Sequence, residues 1–144
     1  MSEPDFTVGG FSLWIRDRQF PGNSDYWDGN WLIVRAEMRA SGALIEVEGP
    51  ILHIPELVRF RDELSKLNAS LSRSAELRPL EPGLHLTLTA QSLGHISADL
   101  SITPDQLTQR HTFEFGIDQS YLPALLDSLD QLLSEYPVIG SPEA

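Results

Sequence analysis

The sequence predicts an α+β fold: a largely antiparallel β-sheet of about six strands packed with two amphipathic helices. Three observations lead there. Residues 30–40 and 84–102 alternate apolar and polar side chains, the period of a half-buried strand. The alternating runs pair through short turns that carry glycine, as antiparallel neighbours do. Two other stretches, after Pro55 and after Ser120, repeat leucine at the spacing of a helix face.

Residues 11–16 form a first strand, and residues 17–29 form a long loop holding Pro21-Gly22-Asn23 and Asp28-Gly29 as turn signals. In residues 30–40, Leu32, Val34, Ala36, Met38 and Ala40 share one face, while Arg35, Glu37 and Arg39 share the other. Ser41-Gly42 makes a two-residue turn and residues 43–48 return. That register sets Met38 opposite Ile45, Ala36 opposite Val47 and Arg35 opposite Glu48. It also sets Glu37 opposite Glu46, a pairing that needs Arg35 and Arg39 diagonally near. Pro55 marks the first turn of a helix to about Leu67, with Leu57, Phe60, Leu64 and Leu67 as its buried stripe. Residues 84–90 and 96–102 form a second hairpin through Ser92-Leu93-Gly94, with Gly94 left-handed and Leu86 opposite Leu100. A further strand carries His111, Phe113, Phe115 and Ile117 on one face. Ser120 then caps a last helix, whose stripe is Leu122, Leu125, Leu126, Leu129, Leu132, Leu133 and Tyr136. Its opposite face holds Asp127, Asp130 and Glu135, and every charge there is negative.

A chain of 144 residues is expected to form one domain, residues 1–144, with an ordered core over residues 6–140. The formal net charge is −11, from 21 acidic and 10 basic residues. Phosphate repulsion opposes direct binding of nucleic acid, and an anionic membrane is disfavoured on the same ground. A cationic protein partner is attracted instead. No apolar run approaches a membrane span, and residues 1–5 lack the basic and apolar parts of a signal peptide. With no cysteine there is neither disulfide framework nor thiolate chemistry, and a cytoplasmic location is expected.

The most enzyme-like pattern is His, apolar, hydroxyl, apolar, at His85-Leu86-Thr87-Leu88 and again at His95-Ile96-Ser97-Ala98. These resemble the motifs of 2H phosphoesterases, whose paired histidines act as acid and base on a phosphate. The inferred hairpin separates the two imidazoles by roughly 20 Å of strand, too far to share a substrate. The histidines show no zinc spacing, and neither metal nor cofactor is expected. Asp25 and Asp28 share one loop, so an acid/base pair is the alternative enzymatic reading, with loop-forming aspartates the plainer one. A regulatory or structural interaction module is a third.

The loop itself is different in kind. Arg18-Gln19-Phe20-Pro21 is followed by Asp25-Tyr26-Trp27-Asp28-Gly29-Asn30-Trp31-Leu32, which sets two tryptophans and a tyrosine among turn residues. Such a cluster is either a buried plug or an exposed anchor for a partner. The string resembles the signature of WapI-type immunity proteins. Glu81-Pro82-Gly83-Leu84 and the closing Tyr136-Pro137-Val138-Ile139-Gly140 extend the likeness over most of the chain. The resemblance implies a small cytoplasmic protein that binds and neutralises a toxin domain, in that family the C-terminal nuclease of a wall-associated polymorphic toxin. It carries over no catalytic residues. A nuclease must be cationic to hold nucleic acid, so the expected partner is basic. The candidate partner-binding residues are Asp25, Tyr26, Trp27 and Asp28 in the loop, and Asp127, Asp130 and Glu135 on the last helix.

Overall fold

The computed structural model describes residues 2–71 and 73–143. The chain runs β1 (Phe6–Val8), β2 (Phe11–Arg18), α1 (Tyr26–Gly29), β3 (Trp31–Ala40) and β4 (Ala43–His53), then α2 (Ile54–Ser70). It continues through β5 (Ser74–Leu77), β6 (Leu84–Ala90), β7 (His95–Ile102), β8 (Thr112–Asp118) and α3 (Leu122–Glu135). The class is α+β, as the alternation predicts. The strands divide, however, into two antiparallel sheets of four, ordered β1-β2-β3-β4 and β5-β6-β7-β8, rather than one sheet of six. The two additional strands are β1 and β5. Each is too short for alternation to register: β1 buries Phe6 and Val8, and β5 buries Ala75 and Leu77.

The long hairpins follow the expected registers. Met38 faces Ile45, Ala36 faces Val47 and Glu37 faces Glu46 across β3 and β4. The like-charged pair is relieved diagonally, since Arg35 binds Glu37 at 3.0 Å and Glu46 at 2.7 Å, and Arg39 also donates to Glu37. Glu37 is thereby buried on what alternation assigns to the outer face. Hydrogen bonding by Arg35 holds the Glu46 carboxyl below the usual carboxylate range. In the second sheet Leu86 faces Leu100 and Leu88 faces Ala98, with Gly94 left-handed in the connecting turn.

Both helices bury the predicted stripes. Leu57, Phe60, Leu64 and Leu67 of α2 join Leu122, Leu125, Leu129 and Leu132 of α3 in one apolar core with residues of both sheets. Leu126, Leu133 and Tyr136 are half-buried against it. Glu56 closes the start of α2 by accepting the His53 N–H at 2.7 Å, and its other oxygen accepts Leu80 N–H at 2.8 Å. Partial burial raises its pKa, the two amides opposing that shift. The start of α3 differs from expectation. A 3₁₀ turn, Gln119–Tyr121, precedes it and is capped by Asp118, which accepts Ser120 N–H at 3.0 Å, while α3 itself begins after Tyr121 with no side-chain cap.

Candidate functional site

The aromatic loop is a folded unit with one exposed tip. Asn23 Oδ1 accepts Asp25 N–H at 2.7 Å, fixing the approach to α1. Asp25 caps that single turn, one carboxylate oxygen accepting Trp27 N–H and Asp28 N–H at 3.0 Å each. A carboxylate engaged in this way is a structural acceptor and stabilises the positive end of the turn. Gly29 closes the turn where no larger residue fits, because a Cβ would lie 2.5 Å from Asn23 O. Asn30 then anchors the loop to the chain's end. Its side-chain amide donates to Tyr26 O and Ile139 O, and its carbonyl accepts Ile139 N–H, all at 2.8 Å. Arg18 adds two bonds, to Gly29 O at 2.9 Å and Pro137 O at 2.7 Å, with its guanidinium 6.0 Å from the Tyr136 ring centre.

The first and last strings of the sequence signature therefore touch one another. Buried His53 supports the tip from below, its Nε2 lying 3.2 Å from both Tyr26 O and Trp27 O. The Trp27 ring stacks parallel to the imidazole at 6.2 Å, and Tyr26 meets both rings edge-on. Trp27 nonetheless remains 56% exposed, and Phe20 and Val138, in the segments joined here, remain 45% and 42% exposed. Asp28 is exposed beside it. Burial, reinforced by Asp17, Asp5 and Glu135, raises the Tyr136 pKa.

Of the acids on α3, Asp127 and Glu135 are exposed. Asp130 is exposed but engaged, binding Arg61 of α2 at 2.7 and 3.3 Å and clamping the two helices together. All the candidates except half-buried Tyr26 are thus exposed, and of these Asp25 and Asp130 are also engaged, in the α1 cap and the Arg61 pair. Sequence reasoning missed Asn30, Arg18 and His53 because their partners are distant in the chain or are backbone atoms.

The enzyme-like pattern does not assemble. His85 pairs with Ser101 and hydrogen-bonds Glu76 at 3.1 Å, which lowers the Glu76 pKa with help from Arg78. His95 lies at the opposite end of the hairpin, paired with Asp118. Among the described residues no three His, Asp or Glu gather as metal ligands. No helix there is long and apolar enough to cross a membrane.

Comparison with known families is decisive at this point, for residues 6–137 match the immunity protein WapI-like family. The chain belongs to that family. No curated protein and no solved structure matches it. Membership supports an immunity role and implies a toxin as partner. In this WapI-like protein the matched segment takes in the whole aromatic loop and stops at Pro137, where Arg18 grips the tail.

Proposed function

We propose that the protein binds and neutralises a cognate toxin domain, basic and of nuclease type, and catalyses nothing itself. It acts in the cytoplasm as one domain, engaging protein rather than nucleic acid or membrane. The observation that carries this reading is Trp27: a large aromatic side chain held in place by capped backbone and the His53 ring, yet left half exposed. Ordering such a side chain before contact removes part of the entropic cost of binding, which is how rigid aromatic anchors act at interfaces. Asp28 adjoins it and is exposed, and Glu135 and Asp127 are exposed on α3, roughly 12 Å apart along the helix. With a net charge of −11, this surface attracts a cationic groove and leaves it covered.

The two contributions separate kinetically. Association with a cognate toxin domain should slow about tenfold or more as salt rises from about 0.05 to 0.5 M. Asp127→Lys should slow association further, whereas Trp27→Ala should leave association nearly unchanged and speed dissociation about tenfold or more. Asp130 is unsuited to this test, since its reversal breaks the Arg61 clamp. Rates indifferent to salt and to both substitutions would contradict the proposed surface.

A further inference from the structure

We propose that the toxin partner inserts an extended, cationic segment into the groove between the two sheets, adding a strand to the free edge of β8. This rests on the immunity reading and specifies a second point of contact, at the other end of α3 from Trp27.

The groove encloses about 650 Å³ between β1, β8 and the first turns of α3. Its apolar lining comes from Val8, Ile117 and Leu125, and Tyr121 stands over it, 64% exposed. Two unpaired strand edges face into it. Among the described residues β8 pairs only with β7, and β1 only with β2. Ile102 N–H donates to His111 O at 3.1 Å, so positions in phase with His111 spend their backbone groups on β7. Glu114, Gly116 and Asp118, out of phase, turn theirs to the open edge. On the other wall, Val8 pairs with Phe11 across the Gly9-Gly10 turn, which directs the Thr7 backbone outward. The Gly9 end is closed by Phe115, whose ring would lie 2.7 Å from a Cβ there.

Exposed edges of this kind are templates for another strand. Gly116 offers the incoming backbone an approach without a side chain in the way. The charges select the occupant. No Lys or Arg lines the groove; Asp118 does, with His95 of β7 paired opposite it. Hydrogen bonds from Ser120 keep the Asp118 carboxyl below the usual aspartate range, and Glu114 is exposed on the same edge. A second copy of this chain would set those acids against their own kind, whereas a Lys- or Arg-bearing segment is drawn to them.

Gly116→Val tests the proposal, because a Cβ there meets nothing nearer than Ile96 O at 3.8 Å, an ordinary van der Waals contact. The probe is the same cognate toxin domain, titrated against the full-length protein. The variant should bind about thirtyfold more weakly with an unchanged unfolding midpoint. In the wild-type complex the amides of Glu114 and Gly116 should exchange hydrogen more slowly than in the free protein. Binding by the variant within about twofold of wild type, with those amides unprotected, overturns the strand addition and leaves the immunity reading standing. A dimer of the free protein that Gly116→Val dissolves overturns it too, by making a second copy the occupant. Absence of any complex with the wild type removes both.

Discussion

Leu129→Ala should lower the stability of this protein by about 2–5 kcal/mol, the range of core leucine truncations. Leu129 is fully buried midway along α3, between Leu125 and Leu132, in the core to which both sheets contribute. The helix has little reason to form alone, because a fourteen-residue segment is marginal in water without an apolar face to bury. Removing the isobutyl group forfeits its transfer energy and leaves a cavity that neighbouring leucines fill only in part. A denaturant titration should show a lower midpoint with an unchanged slope. An unchanged midpoint would mean that the leucine stripe is not core.

Asn30→Ala should cost about 2–4 kcal/mol by a different route. Asn30 is fully buried and makes three side-chain hydrogen bonds, one within the loop to Tyr26 O and two that join it to Ile139. Truncation removes every one of them and leaves the Ile139 N–H and C=O without partners. Tyr26 O keeps His53 Nε2, so the loop side suffers less than the tail. Each orphaned backbone group costs about 1–3 kcal/mol if it stays buried, and the tail can instead detach into water. Limited digestion with elastase should therefore cut beside Val138 or Ile139 faster in the variant than in the wild type. Equal stability and equal cleavage would contradict the role given to Asn30.

The hairpins and helices were legible because each spends its apolar residues on one face over many residues. A one-residue slip of β3 would put Leu32, Val34 and Met38 in water, which leaves a single register. Even the diagonal relief of Glu37 follows from that register and the period of the strand. What the sequence hid is long-range or brief. β1 and β5 offer two buried positions each, too few to establish a period. Division into two sheets depends on where α2 carries the chain, and alternation within hairpins does not encode it. The start of α3 misled because Ser120 is a good cap by residue type, whereas a 3₁₀ turn capped by Asp118 intervenes. At the site, an aspartate reads alike whether it caps its own turn, as Asp25 does, or stands exposed beside that cap, as Asp28 does. Asp130 likewise reads as solvated until Arg61, on another helix, is placed beside it.

Co-expression decides whether this protein neutralises a toxin by binding it. Cells producing a cognate toxin domain should survive when the wild-type protein is co-expressed with it. The two proteins should also co-purify at low salt as one complex. Equal killing with and without this protein, together with no complex at low salt, would contradict the account.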